Sequence, residues 1–433
     1  MVSTARTEVN EPRLAVLGGS PTITTPFEPY APIGETEVEA ARSVVESGVL
    51  SQYLGAWHAD FRGGPKVQEF EAAWAAKFGV KHAVTFNSWT SGLVAAVGAL
   101  GIEPGDEVIV TPWTMTASAA AILHWNAIPV FADIDDATYC LDPESVERAI
   151  SPQTTAIMSV DIFGQSADMG ALRDIADRHG LNIISDTAQA PWARQNGRLA
   201  GTMADVGGFS LNYHKHIHTG EGGVAVTDDD DYAQRMRLIR NHGEAVVGDM
   251  GVNDLSNMVG HNFRLGEIEC AIGLEQLKKL EARVQSRQVA AERLAKGLAG
   301  LDGLVLPAIP DGNTHVYYVF PMQIDANITG VHRDVIVDAL QAEGVSAGTG
   351  YQNLHLLPMY ARKTAYGNSG FPWSSDICKR EIKYGPGLCP TAEHLHSHSH
   401  VGIGMCSFEY SDAEVDLVVE AFRKVWSQLR ALR

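Results

Sequence analysis

One lysine, Lys215, lies in a turn between two apolar segments, Gly207–Leu211 and Val224–Thr227, that are predicted to be strands. A histidine precedes it, another follows it, and three glycines come before the second segment. Glycine lets the backbone approach a ligand closely. A lysine with a lowered pKa in such a turn can attack an aldehyde as a nucleophile. The alternative is a solvated loop lysine without a chemical role.

An acidic residue, Asp186, follows the apolar run Ile183–Ser185. Ligands of parallel α/β sheets bind beyond the carboxyl ends of the strands, which is where this residue falls. A carboxylate there can pair with a protonated pyridine nitrogen of a cofactor. The alternative is that Asp186 only caps the start of a helix.

Small and hydroxyl residues, among them Ser88 and Thr90, lie between a predicted strand and a predicted helix. The first amides of a helix have no intrahelical acceptor, so together with hydroxyl groups they form an anion site. The segment is not a P-loop, because no Gly-Lys-Ser/Thr follows. Taken alone, the pattern also fits ordinary helix capping.

The elements around these residues alternate between short apolar strands and amphipathic helices. The remaining predicted strands are His82–Phe86, Glu107–Thr111, Val130–Ile134, Ala156–Val160 and Asn182–Ser185, with helices such as Thr90–Leu100, Thr116–Trp125 and Asp168–His179 between them. Continuous apolar strands with intervening helices indicate an α/β fold with a mainly parallel sheet covered on both faces. Because such strands end at one edge of the sheet, the lysine, the aspartate and the anion loop are expected to meet there.

The pattern changes after a long helix predicted from Arg264 to about Ala290, and a strand at Val316–Ile324 and two further helices follow. We therefore predict an irregular lead-in at residues 1–30, a large domain at 31–285 and a smaller C-terminal α/β domain at 286–433.

Composition narrows the function. The chain has 433 residues, a net charge of −19 and five cysteines without a Cys-x-x-Cys pair. The negative charge argues against nucleic-acid binding, and no apolar run is long enough for a membrane span. Met1–Pro12 lacks the pattern of a secretory signal. The cysteine usage is typical of a reducing cytosol, so we expect a cytoplasmic protein.

The three segments together, in the order anion loop, strand-end aspartate and lysine turn, resemble the DegT/StrS family of sugar and aminocyclitol aminotransferases. These are fold type I enzymes that depend on pyridoxal 5'-phosphate (PLP). The resemblance runs from about Leu14 to Leu432 and is closest across Ser185–Gly223. Arg240–Gly243, with the sequence Arg-Asn-His-Gly, and Gly260–Glu269, which begins Gly-x-Asn-x-Arg, look like two further family signatures. The fold implied is a large domain with a mainly parallel seven-stranded sheet and a smaller C-terminal α/β domain.

The resemblance implies the roles of the site residues. Lys215 is similar to the lysine that forms the Schiff base with PLP and moves the proton, and Asp186 to the carboxylate that keeps the pyridine nitrogen protonated. Gln189 would face the phenolic oxygen of the cofactor. The residues implied to bind the phosphate are Ser88, Trp89, Thr90, Ser210 and, from the neighbouring subunit, Asn262. That last role implies a homodimer with shared active sites.

The chain departs from the family pattern at several positions. Trp89 stands where the phosphate loop usually has glycine, and a bulky side chain there either narrows the site or stacks on a ligand. Met115 occupies the position that usually carries an aromatic ring over the cofactor, and Trp113 or Trp89 are candidates to replace that ring. Asp161 stands where relatives often have histidine.

The resemblance implies a ping-pong aminotransferase that carries an amino group from glutamate or glutamine to a ketone of a sugar, nucleotide-sugar or cyclitol. Some relatives have histidine in place of the lysine and are dehydratases, so Lys215 favours transamination. One alternative is PLP-dependent amination and aromatisation, or dehydration, of a cyclic keto compound. Another is a PLP-binding sensor without turnover. Arg264 is a candidate for binding the carboxylate of the amino donor.

A second histidine cluster lies near the C-terminus. Residues His394, His396, His398 and His400 alternate, so a strand would place all four on one face, where they could bind a metal. We favour a polar loop near the mouth of the site and predict no metal, because PLP chemistry requires none.

Overall fold

The structure, a computed structural model, describes residues 13–433. Met1–Pro12, where no secretory signal is expected, lies outside the described residues, as does the first part of the predicted lead-in. Within residues 13–433 no helix is both long enough and apolar enough to cross a membrane.

A seven-stranded sheet forms the larger half of the fold. In chain order, the strands of this part of the chain are β1 (His82–Phe86), β2 (Glu107–Val110), β3 (Ile128–Phe131), β4 (Thr154–Val160), β5 (Asn182–Asp186), β6 (Arg194–Gln195), β7 (Arg198–Leu199), β8 (Val206–Ser210) and β9 (Gly223–Thr227). The order in the sheet is β1-β9-β8-β5-β4-β2-β3, and β6 and β7 form a separate hairpin. Only β9 runs antiparallel to its neighbours, so the prediction of a mainly parallel seven-stranded sheet is confirmed.

Helices cover both faces of this sheet, as its buried, apolar strands require. In chain order the helices of this part of the chain are α1 (Glu35–Ser47), α2 (Pro65–Phe78), α3 (Trp89–Ala99), α4 (Ala117–His124), α5 (Pro143–Ala149), α6 (Met169–His179), α7 (Asp230–Arg240), α8 (Val247–Met250) and α9 (Glu267–Leu298). The predicted helices and strands of this part agree with these bounds within three residues, except that α9 ends at Leu298, eight residues after its predicted end near Ala290.

Strand β3 begins at Ile128, two residues before the predicted start at Val130, and ends at Phe131, where Ile134 was expected. Proline argues against a central strand because it has no N–H to donate. Here β3 is the edge of the sheet, with β2 as its one neighbour, and Pro129 is tolerated at an edge. The sequence pattern does not reveal that edge position.

A smaller sheet follows in the C-terminal part. Its strands are β10 (Leu304–Val305), β11 (Val319–Ile324), β12 (Ala347–Gly348) and β13 (His400–Gly404), in the antiparallel order β10-β11-β13-β12. The helices of this part are α10 (Ala326–Thr329), α11 (Arg333–Ala342), α12 (Pro358–Ala361), α13 (Pro390–His394) and α14 (Asp412–Ser427). The expected smaller C-terminal α/β domain is confirmed. The boundary at residue 285 stays a prediction, and α9 runs through it without interruption.

The alternating histidines do not form the strand on which the metal hypothesis depended. His394 ends α13, residues 395–399 form a π-helical turn, and only His400 belongs to a strand. Among residues 13–433 no group of three or more His, Cys, Asp or Glu side chains is placed to hold a metal ion.

Arg240, in the Arg-Asn-His-Gly segment, ties three elements together at the end of α7. Its guanidinium is fully buried, and Nη1 donates to Oε1 of Glu71 in α2 at 2.6 Å and to the carbonyl of Thr85 in β1 at 3.0 Å. Its Cζ lies 5.0 Å from the ring centroid of Tyr53. Because a buried charge is tolerated only when it is paired and hydrogen-bonded, this residue fixes how α2 and β1 pack.

The neighbouring signature residues hold the segment before α2. The amide Nδ2 of Asn241 donates to the carbonyls of Leu54 and Phe61, at 3.0 and 2.9 Å. The Glu267 carboxylate accepts from the amide of Lys66 at 2.8 Å and so caps the first turn of α2. Both family-like signatures therefore carry structural contacts in this chain.

We expect Arg240→Met to lower the free energy of unfolding by about 3–5 kcal/mol, because it leaves the Glu71 carboxylate buried without its partner. Denaturant titration of the purified protein measures this loss. Arg293→Met is the matched control, since Arg293 pairs with Asp416 at an exposed surface site, and it is expected to leave the free energy of unfolding nearly unchanged. Equal losses in the two variants would contradict the role given to Arg240.

Candidate active site

A cavity of about 210 Å³ opens at the carboxyl ends of the parallel strands. All the predicted site residues except Asn262 line it: Ser88, Trp89, Thr90, Met115, Asp186, Gln189, Ser210 and Lys215. Asn262 is exposed and forms an isolated bridge with Asn241. It does not reach the cavity of its own chain, and its assignment to a neighbouring subunit stays a prediction.

Asp186 is the last residue of β5, and its carboxylate is 4% exposed. Oδ1 accepts from the indole N–H of Trp89 at 2.8 Å and from the amide of Ala188 at 3.3 Å, and Oδ2 accepts from the hydroxyl of Ser118 at 2.8 Å. Burial raises the pKa of Asp186, whereas these hydrogen bonds and the charge of Lys215 lower it. The carboxylate is thus held in one orientation at the floor of the cavity.

Lys215 lies in the turn between β8 and β9 and is 6% exposed. Burial lowers its pKa to about 8, although the nearby Asp186 charge acts in the opposite direction. No carboxylate of the described chain is within ion-pair distance of its amine, and Nζ lies 4.4 Å from the ring centroid of Tyr318. The amine therefore has a substantial neutral fraction near neutral pH, as a nucleophile requires.

The opposite wall of the cavity is suited to an anion. Helix α3 begins at Trp89, and its cap residue Ser88 accepts from the amide of Ser91 at 3.0 Å. The start of α3 and Ser210, the last residue of β8, both line the cavity, and the first amides of a helix are free to bind an anion. Gly222 also lines the cavity; its φ of 155° and the 2.8 Å that a Cβ atom there would leave to Oγ1 of Thr219 require glycine in this turn.

Gln189 connects the cavity to a residue that the sequence analysis missed. Its Oε1 accepts from the amide of Phe163 at 2.8 Å, and its Nε2 donates to the hydroxyl of Tyr351 at 2.6 Å. Tyr351 follows two glycines in the segment 348–351 and lines the cavity. That glycine-rich segment before an aromatic residue was the available signal.

Three further residues near the cavity received no role in the sequence analysis, and of these only His214 lines it. Ser118 was hidden within a helix of small residues, and its contact with Asp186 depends on the fold. His214 lines the cavity, and its Nδ1 is 2.8 Å from the Tyr318 hydroxyl. His216 is fully buried, its Nε2 bonds to the carbonyl of Val316, and burial lowers its pKa to about 3. The two histidines beside Lys215 therefore face different surroundings.

The candidates for an aromatic cover over the cofactor occupy separate places. Met115 lines the cavity mouth and is 58% exposed. Trp113 is fully buried, and its indole donates to the carbonyl of Tyr351 at 2.8 Å, behind the cavity wall. Trp89 lines the cavity, but its ring is packed into the core beneath. Neither tryptophan presents a ring face in place of Met115.

Asp161 and Arg264 lie outside the cavity lining. Burial raises the pKa of Asp161 to about 6, and its carboxylate accepts from the hydroxyls of Ser185 and Thr187 at 3.0 and 2.7 Å. Asp161 thus supports β5 from behind. The Arg264 guanidinium lies 5.9 Å from the ring of Tyr53, away from the lining residues of the same chain.

A family model described as the DegT/DnrJ/EryC1/StrS aminotransferase family matches residues 41–394. The spore coat polysaccharide biosynthesis protein SpsC of Bacillus subtilis is 33% identical over 92% of this chain and 97% of its own length. The L-glutamine:2-deoxy-scyllo-inosose aminotransferase of Streptoalloteichus tenebrarius is 36% identical over 80% of this chain and 83% of its own.

The fold agrees with these matches. A solved aminotransferase from Psychrobacter cryohalolentis superposes with a TM-score of 0.80 at 27% identity, covering 94% of this chain and 100% of that one. The family model spans the cavity, the large sheet and most of the smaller domain. This chain belongs to the DegT/DnrJ/EryC1/StrS aminotransferase family.

Proposed function

We propose that this chain is a PLP-dependent aminotransferase that moves an amino group from glutamate or glutamine to a ketone of a sugar, nucleotide-sugar or cyclitol. One observation carries the proposal. A buried lysine with no carboxylate partner among residues 13–433, a buried aspartate and a helix start lined by hydroxyl groups surround a single cavity.

The residues of the cavity fit PLP. The aldehyde side would meet Lys215, the ring nitrogen would meet Asp186, and the phosphate would meet the start of α3 with Ser88, Thr90 and Ser210. Gln189 lies on the wall between them, where the phenolic oxygen would face. PLP acts as an electron sink that stabilises a carbanion next to the transferred nitrogen.

The protein contributes three functions to this chemistry. Asp186, whose hydrogen bonds oppose the rise in pKa that burial causes, would stabilise a proton on the ring nitrogen. Lys215 accepts and returns a proton at the substrate carbon, and its lowered pKa places both of its protonation states within reach near neutral pH. Burial of both groups excludes water from the reacting atoms.

The substrate class follows the relatives. The Streptoalloteichus tenebrarius relative is an L-glutamine:2-deoxy-scyllo-inosose aminotransferase by name, which supports an amide or carboxylate donor and a cyclic polyhydroxy ketone as acceptor. A homodimer fits the exposed Asn262, which would then supply a phosphate contact to the partner cavity. Cytoplasmic localisation stays a proposal that rests on the five unpaired cysteines.

A visible absorption spectrum tests this proposal first. We expect purified protein supplied with PLP to develop a visible band that bleaches when glutamine or glutamate is added. Lys215→Ala removes the amine that captures the aldehyde. This variant should lack the visible band and turn over at least about 10³-fold more slowly than the wild-type protein. Lys278→Ala is the control, because Lys278 is exposed and pairs only with Glu275.

Three outcomes of this experiment would contradict the proposal. Full turnover by Lys215→Ala would exclude the lysine as the reacting group. A band with no donor response, together with a product that carries no nitrogen, would favour elimination of water. PLP binding without transfer from any donor to a panel of keto-sugars and cyclic ketones would favour a sensor.

The pH dependence of PLP capture tests the environment of Lys215. The neutral amine is the nucleophile, so the capture rate of the apoprotein should rise about tenfold per pH unit below pH 8 and level off above it. Rapid mixing of apoprotein with PLP across this range measures it, with an acetylated lysine amide as the reference for the ionisation of PLP itself. A protein rate that keeps rising in parallel with the reference through pH 10 would show an unperturbed lysine.

A further inference from the structure

Trp89 stands where the phosphate loop of the family usually has glycine, and its side chain contacts Asp186 directly. The indole is 4% exposed, and its N–H donates to Oδ1 of Asp186 at 2.8 Å. The two residues are far apart in sequence and come together because α3 starts beside the end of β5. A buried N–H bound to a carboxylate is a charge-assisted hydrogen bond, which is stronger than one between neutral groups.

Two glycines next to the Trp89 ring make room for it and restrict it to one orientation. A Cβ atom on Gly208 would lie 1.9 Å from Cη2 of Trp89, and one on Gly92 would lie 2.5 Å from its Cε3. The ring therefore packs against two glycines, one in β8 and one in α3 itself. This packing fixes the direction of the indole N–H toward Asp186.

Burial raises the pKa of Asp186, and the hydrogen bonds around its carboxylate oppose that effect by disfavouring a proton on Oδ1. An indole N–H is a donor and never an acceptor, and so is the backbone amide of Ala188, which also points at Oδ1. Protonation of that oxygen would place three hydrogens together. The Ser118 hydroxyl donates to Oδ2, so one remaining lone pair of that oxygen is left for a group in the cavity.

We propose that Trp89 is a positioning residue that holds the Asp186 carboxylate ionised and aimed at the ring nitrogen of PLP, an inference that rests on the proposed function. Trp89 does not cover the ring face, since its own ring lies against Gly92 and Gly208. Trp89 acts through the carboxylate, whereas the backbone amides of the same loop would bind the phosphate.

Other titratable groups also face Asp186. They are Lys215 from the turn after β8, Asp161 from the end of β4, and Tyr351 from the segment before α12. None of them contacts the indole N–H through a hydrogen bond in the described structure. A change at Trp89 that leaves these three groups in place therefore isolates the contribution of the indole donor.

The test compares Trp89→Phe with Trp125→Phe. Phenylalanine keeps an aromatic ring between the glycines and removes the N–H. Trp125 is a matched control, because it is also buried, packs against Gly98 of α3, and donates its indole N–H to the carbonyl of Val94 at 2.7 Å. Both variants lose one buried indole hydrogen bond and a similar ring volume, but only one of those bonds reaches Asp186.

We expect Trp89→Phe to bind PLP about tenfold more weakly and to raise the pH midpoint of the bound cofactor's visible band by about one unit, a tenfold change in proton affinity. If Asp186 is less ionised, the ring nitrogen carries less positive charge. The nitrogen that joins the cofactor to Lys215 then keeps its own proton to a higher pH. Trp125→Phe should match Trp89→Phe in thermal stability while keeping the wild-type affinity and midpoint.

Wild-type behaviour in both measurements for Trp89→Phe would overturn the inference, as would equal shifts in the two variants. Absence of any PLP band in the wild-type protein would instead count against the proposed function, so the two failures are distinguishable. If Trp89→Phe does not fold, the NMR spectrum of the Asp186→Asn apoprotein tests the inference in its place. One of the eight tryptophan indole N–H resonances should move upfield, and no movement would overturn the inference.

Discussion

Keeping a charge on a carboxylate in the protein interior is the constraint on which this site depends. Burial raises the pKa of Asp186, and the hydrogen bonds of Ser118, Trp89 and Ala188 oppose that effect. The same burial lowers the pKa of Lys215 to about 8, and the Asp186 charge opposes it. The two groups lie close enough to influence each other without forming an ion pair, so each remains available for a ligand.

The sheet brings these groups together because its strands end at one edge. Asp186 ends β5, Ser210 ends β8, and the antiparallel β9 returns from the turn that carries Lys215. The two family-like signatures stabilise the fold outside the cavity. Arg240 and Glu267 anchor α2 and the segment before it through buried hydrogen bonds, so that the helix start at Ser88 has a fixed frame.

Apolar periodicity and chain order were sufficient for most strand and helix positions and for the expectation that Lys215, Asp186 and the loop at Ser88 meet at one edge of the sheet. The other predicted lining residues came from the family resemblance. The sequence was insufficient where tertiary context decides. The edge position of β3 permits Pro129, and the alternation of His394 to His400 falls on helical turns, where alternation does not place side chains on one face. Tyr351 and Ser118 reach the site through contacts between residues distant in sequence, which periodicity does not encode.

Trp89 shows why one departure from a family pattern cannot be interpreted alone. From the sequence, a bulky residue in the loop suggested a narrowed site or a stacking surface, since only its size was known. In the structure the Trp89 ring lies in the core, where Gly92 and Gly208 make room for it. A side chain at either glycine would collide with the indole, so the three positions are coupled and their substitution effects should not add. The tryptophan and its two glycines therefore form one structural feature, and its product is the hydrogen bond that orients Asp186.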